Sequence, residues 1–374
     1  MNAERLHGIT VTLRKELTDN NILDKFQTFV NSLQTYVQQQ NNAGIQQQFA
    51  TSRDDFLNAV TATPSDAFSP VWRQLLTEMG GANLFGSALK ERVRQALDRN
   101  QMTPSVALNE ITQILSELQA FRDSLNNLDA ALNHFHIESE ELAPGQAEIA
   151  LLIPRRAVDD KLSEFANELE EIEFILNALS EVATGHKDDL KIRTISSSGL
   201  MIFLAASPAF GLIVAKAIDF VVSTYKKILE IKKLQLEITR LELPEEVSEK
   251  TKAHANALME EQIEQFSVEI VNQHCSSDDG RKNELTTAVK ISLNKMANRI
   301  DKGFNFEVRI VPPKSLTKDD KAVQEAVKAI QDASFNMQFL KLEGPPILTL
   351  PEDAESVHQT KSKKKASSKP EIKK

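Results

Sequence analysis

Between residues 1 and 142, apolar positions recur at steps of three and four. Ile22, Phe26, Phe29, Val30, Leu33 and Val37 fall on one helical face. The Gln-rich stretch from residue 38 to 48 interrupts this pattern and reads as a connector. A further helix is expected from near Ser52, with Asp54 and Asp55 in its first turn, where acids suit the helix dipole. Thr63-Pro64 and Thr103-Pro104 each read as an N-cap followed by proline at the first helical position. Beyond Thr103, the set Leu108, Ile111, Leu115, Leu118, Leu125, Leu128 and Leu132 predicts a long amphipathic helix. Gly80-Gly81 separates two shorter helices, and Pro144-Gly145 closes the region, so residues 1–142 are expected to form a helical bundle.

The pattern then changes. Glu148-Ile149-Ala150-Leu151-Leu152-Ile153-Pro154 is short, continuously apolar and bounded by turn residues, as a buried strand would be. Residues 159–182 carry Leu162, Phe165, Leu169, Ile172, Leu176 and Leu179 at helical spacing. Residues 190–195 alternate, with Leu190, Ile192 and Thr194 on one face and Lys191, Arg193 and Ile195 on the other. Strand, helix, strand predicts a βαβ unit, parallel if the two strands are neighbours. A very apolar stretch, residues 199–222, follows, with Ser207-Pro208 as a helix start inside it. It runs without a breaker into a charged amphipathic helix that Pro244 ends. Residues 245–271 and 280–300 read as helices, 304–311 as a strand, 319–333 as a short helix and 335–342 as a candidate fourth strand.

The expected fold class is therefore α+β and helix-dominated. An N-terminal helical bundle (1–142) precedes a domain (143–350) with a small mixed sheet of about three or four strands, including the βαβ unit, wrapped by long helices. Residues 351–374 are polar and Lys/Ser-rich, and are expected to form a disordered basic tail.

Residues 147–155, residues 190–198, the run Tyr225-Lys226-Lys227-Ile228-Leu229-Glu230-Ile231-Lys232-Lys233-Leu234 and the run Asn298-Arg299-Ile300-Asp301-Lys302-Gly303 resemble a group of uncharacterised bacterial proteins. The resemblance spans roughly the second and third quarters of the chain. It implies a bacterial origin and a recurring architecture, and carries over no activity, cofactor or catalytic residue.

Composition narrows the function classes. The chain is 41% hydrophobic and 26% charged, enough to bury a core. Its net charge is −9, and from Lys361 onward seven lysines face one glutamate, so the rest carries about −15. Such an acidic body repels phosphate backbones, which argues against nucleic acid outside the Lys-rich tail. The single cysteine, Cys275, allows no internal disulfide and suits a reducing cytoplasm. The first ten residues lack the apolar run of a signal peptide.

Candidate chemistry is sparse. There is no phosphate loop, no Gly-x-Gly-x-x-Gly, no Gly-x-Ser-x-Gly and no Cys-x-x-Cys, so no cofactor is expected. If the first two strands were neighbours, Arg155 and Arg156 after one and Ser196, Ser197 and Ser198 after the other would share a sheet edge suited to an anion. Ordinary capping and solvated arginines are the plainer account. His134 and His136 with nearby glutamates, and His274-Cys275 with Asp278 and Asp279, are weak metal candidates, because residues two apart leave a helix on different faces. Tyr225, Ile228, Ile231, Leu234, Ile238 and Leu241 form a stripe that would serve equally as an intramolecular hairpin or as a seam for a partner or a second copy. The uncharged stretch 199–222 is either a buried core segment or a conditional membrane element. The leading expectation is a cytoplasmic, non-enzymatic interaction or scaffold protein. A membrane-active effector and an anion- or nucleotide-sensing module are the alternatives.

Overall fold

The computed structural model describes residues 3–140, 142–196, 200–241, 245–275, 279–311, 321–336 and 344–353. The chain divides into two compact units, Met1–Glu141 and Leu142–Lys374. The architecture is helix-dominated α+β, with a small sheet confined to the second unit.

The first unit is helical among its described residues: α1 (Ala3–Asp19), α2 (Ile22–Gln38), α3 (Ala43–Ala59), α4 (Pro70–Glu78), α5 (Gly86–Arg99) and α6 (Pro104–His134). Thr63 and Thr103 stand at N-caps with proline next, before a short 3₁₀ turn and α6 respectively. The Gln-rich connector is shorter than its composition suggests, because α3 begins at Ala43 and absorbs Gln46, Gln47 and Gln48. Two effects favour this. Asn42 caps the helix, its side-chain oxygen accepting from the Gly44 and Ile45 N–H groups, and glutamine is a good helix former. Phe49, inside that early turn, stacks on Tyr36 and Phe29, continuing a ladder through Phe56 and Phe26. Among the described residues of this unit, one acid is buried. Glu16 accepts from the backbone and hydroxyl of Ser65 at 2.8 and 2.9 Å, and burial pushes its carboxyl above the usual range.

The second unit contains β1 (Ala147–Ile153), α7 (Leu162–Thr184), β2 (Ile192–Ser196), β3 (Leu200–Ala206), α8 (Pro208–Arg240), α9 (Glu245–His274), α10 (Asp279–Asp301), β4 (Asn305–Ile310) and α11 (Lys321–Asn336). The sheet order is β2-β3-β1-β4, and every pairing is antiparallel. This corrects the expected mixed sheet with a βαβ unit. β1 and β2 do point the same way, but β3 lies between them, pairing Ile149 with Leu204 and Ser196 with Met201. The cause is the first part of the apolar stretch. Leu200–Ala206 folds back on β2 as a hairpin strand instead of entering a helix, an ambiguity inherent in short, continuously apolar runs. The fourth strand expected at 335–342 is not formed where it is described: Phe335 and Asn336 end α11, and 337–342 lie outside the described residues.

One sheet face, with Ile149, Leu151, Ile202, Leu204, Phe306 and Val308, joins a single core with α7, α8, α9 and α10. The 199–222 stretch, where described, is thus strand over 200–206 and helix from Pro208 on. Ile202, Phe203 and Leu204 of β3 and Phe210, Ile213, Val214, Ile218 and Val221 of α8 are all buried. By length and composition α8 would span a bilayer, yet 61% of its apolar window is buried inside the protein. α8 approaches β1 so closely at Gly211 that a Cβ there would lie 2.8 Å from the Cβ of Ala147. Both atoms are rigid, so Gly211→Val is expected to cost about 1–3 kcal/mol by overpacking, more than the helix propensity it gains. A lower denaturation midpoint with an unchanged slope would check this.

Candidate functional site

Helix α10 is unusual in composition and setting. From Val289 to Asp301 every residue is buried, although Lys290, Ser292, Asn294, Lys295, Asn298, Arg299 and Asp301 are polar or charged. Charged groups are buried only when partnered. Accordingly, Lys290 reaches Glu264 of α9 at 2.8 Å, Lys295 pairs with Glu171 of α7, and Arg299 donates to Glu168 of α7 at 2.7 Å.

Asp301, at the last turn of α10, is the convergence point. Its Oδ1 accepts from the Tyr225 hydroxyl and from Lys232 Nζ at 2.8 Å, both on α8. Its Oδ2 accepts from the backbone N–H groups of Ile347 and Leu348 at 2.5 and 2.7 Å. Burial, and next the Asp301 charge, push the Tyr225 hydroxyl far above its ordinary pKa and keep it protonated as a donor.

The segment that Asp301 holds, within residues 344–353, lies along a groove between α9 and α10 and runs antiparallel to α10. Side-chain amides read its backbone where a sheet would use a neighbouring strand. Asn298 donates to the Leu350 carbonyl and accepts from the Leu350 N–H, each at 3.0 Å. Asn256 of α9 donates to the Ile347 carbonyl at 3.2 Å and accepts from the Thr349 N–H at 2.7 Å. Asn294 donates to the Pro351 carbonyl at 2.8 Å. Ile347, Leu348 and Leu350 are buried in the core, while Thr349 faces out. Glu352 then accepts from Asn298 at 2.6 Å and lies 3.5 Å from Arg299 and 3.9 Å from Lys295. Gly344 opens the segment with φ of 75°, against Leu236 of α8, where a Cβ would come within 2.5 Å. This is a peptide-in-groove arrangement, with affinity from main-chain bonds and selectivity from side-chain pockets.

The residues singled out from sequence fare differently. Arg155 and Arg156 are exposed on a 3₁₀ turn after β1, and Arg155 pairs with Asp160 at 3.2 Å. Ser196 is buried at the end of β2, and Ser197 and Ser198 lie outside the described residues. The anion edge required neighbouring strands. With β3 interposed the two ends stand about 10 Å apart, two strand spacings, so they do not converge as expected. The proposed partner stripe is divided. Tyr225 and Ile228 are fully buried, because α8 turns them towards α10, and Ile238 is buried too. Ile231 is half-buried, and only Leu234 and Leu241 are exposed, at 52% and 70%. Among the described residues no three metal-binding side chains cluster. His274 sits 3.1 Å from Lys216 Nζ, with its pKa lowered by burial and by that ammonium, and Asp278 lies outside the described residues.

Asn256, Asn294, Asn298, Asp301 and the 347–352 segment were not singled out as a site. Two signals in the sequence bear on them. One is asparagine at i and i+4 beside charged residues in a helix; the other is the apolar trio Ile347, Leu348 and Leu350 bracketed by Pro346 and Pro351. No family model, no curated protein and no solved structure matches the chain.

Asp301→Asn is expected to strand the buried Lys232 ammonium, costing about 3–5 kcal/mol of unfolding free energy. The double variant Asp301→Asn with Lys232→Met should recover much of that loss. Urea denaturation of both variants checks the pair.

Proposed function

We propose that this chain is a non-enzymatic interaction protein whose second unit clamps an extended polypeptide in the α9–α10 groove. The observation that carries the proposal is the two-way bond between the Asn298 amide and both backbone groups of Leu350. An enzyme's buried polar groups converge on a cavity where a reacting atom can sit. Here the buried carboxylate and amides are spent on a peptide backbone instead. Asp301 is saturated by four donors, which leaves it no role as a base. A scaffold role in a bacterial multi-protein assembly fits such a clamp, with the segment as a resident occupant and the exposed Leu234 and Leu241 as further contact points.

The membrane-active alternative draws on α8 alone. It would require Tyr225 and Lys232 to leave Asp301, and Ile213, Val214, Ile218 and Val221 to leave the core. The cost of stranding Asp301 weighs against it.

The clamp can be tested by placing a protease site between residues 337 and 343, cutting the folded chain and following the released piece by gel filtration. The piece beginning near Gly344 should stay with the body at micromolar concentration. In the Asn256→Ala, Asn298→Ala background it should separate. Free separation from the otherwise unaltered cut chain would end the proposal.

A further inference from the structure

We propose that the first unit holds a binding pocket for a free amino acid with an aromatic side chain, taken as its zwitterion. The pocket is built wholly from first-unit residues and shares none with the clamp.

A cavity of about 470 Å³ opens where α2, α3 and α5 meet the start of α6. Small-molecule sites have volumes on the order of 300–1,000 Å³. The apolar lining includes Leu33 and Leu57, both buried, and the half-buried rings of Tyr36 and Phe49. Those two rings stack 5.1 Å apart and 11° from parallel. They end the ladder that begins with Phe26, Phe56 and Phe29, whose rings are fully buried. The ladder thus runs out of the core and its last rungs stand open to the cavity. A further aromatic ring would continue it, offset-stacked or edge-on.

The charges of the lining set the rest of the ligand. Arg53 and Asp54 pair with each other at 2.8 Å. The other two charged residues, Arg94 and Asp98, lie on α5 at i and i+4, a spacing at which opposite charges usually meet. Here they do not meet, and among the described residues neither has an ion pair or a hydrogen bond. The cavity therefore offers one guanidinium and one carboxylate, both unspent, a helical turn apart. A simple anion would suit Arg94 but face Asp98, and a simple cation the reverse. A ligand with both signs satisfies both.

An α-amino acid carries its carboxylate and ammonium on one carbon, so the two can reach groups a single turn apart. The guanidinium takes the carboxylate through parallel N–H bonds. Asp98 takes the ammonium. Asn100 spends its NH₂ group on the Ala96 carbonyl at 2.8 Å, and its oxygen, without a partner among the described residues, is a second acceptor for the ammonium. A residue inside a peptide has lost both charges, and a terminal one has lost one of them, so the free amino acid is the better match.

The experiment is equilibrium dialysis of the full chain against labelled L-phenylalanine, with unlabelled compounds as competitors. L-Phenylalanine should be retained saturably, with Kd on the order of 0.1 mM. Phenylalaninamide, which lacks the carboxylate, and N-acetylphenylalanine, which lacks the ammonium, should each compete about tenfold more weakly. Glycine, which lacks the ring, should not compete. Arg94→Gln should erase the advantage of L-phenylalanine over its amide, and Asp98→Asn its advantage over the N-acetyl derivative. Both side chains are exposed and unpaired, so neither change should lower the melting temperature. If either does, the competitor series on the unaltered chain decides alone. Three outcomes would overturn the proposal: no saturable retention of L-phenylalanine; competition by the amide and the N-acetyl derivative as strong as by the parent, which would leave an apolar cavity without charge selection; or competition by glycine as strong as by L-phenylalanine.

Discussion

The carboxylate of Asp301 is the tie on which the second unit depends. Taking a carboxylate and an ammonium out of water costs several kcal/mol per ion, and only close partners for every lone pair offset it. Asp301 has them: a hydroxyl and an ammonium from α8 on one oxygen, and two consecutive backbone N–H groups from the 344–353 segment on the other. Three stretches far apart in sequence are therefore joined through one buried charge. Removing any of them leaves the others holding unanswered polar groups in a low-dielectric interior.

The same constraint explains why a helix so rich in polar residues can be the buried one. Each of the three buried cations of α10, Lys290, Lys295 and Arg299, meets an acid supplied by a neighbouring helix, Glu264 from α9 or Glu168 and Glu171 from α7. With its charges paired sideways, α10 is free to turn Asn294, Asn298 and Asp301 along one face, spaced by roughly a helical turn. From Asn294 to Asp301 the helix rises about 10 Å, and five extended residues from 347 to 351 span about 13 Å. The near match lets successive turns of the helix meet successive peptide units of the segment. It also shows why a short extended stretch with no strand beside it keeps its backbone hydrogen bonds.

The fold class was legible in the sequence because its long helices carry unbroken three-and-four spacing, and β1 and β4 are bounded by turn residues. Two things were not. Leu200–Ala206 is apolar without a break, so neither period shows, and its pairing between β1 and β2 depends on partners distant in sequence. The groove was hidden for a different reason. Asn294, Asn298 and Asp301 look like an ordinary solvated face of a charged helix, and only tertiary packing reveals that this face is covered. The stripe on α8 is divided in the converse way: Tyr225 and Ile228 have the spacing of a seam but turn inward, with Tyr225 ending on Asp301, while Leu234 and Leu241 stay exposed.

The most direct measurement is amide hydrogen exchange at Ile347, Leu348, Thr349 and Leu350 in the intact chain. Bonds to Asp301, Asn256 and Asn298 should give these amides protection approaching that of the β1 and α10 core, opening only with the global unfolding of the second unit. Exchange at the rate of an unstructured peptide would contradict the account, because the groove would then hold nothing.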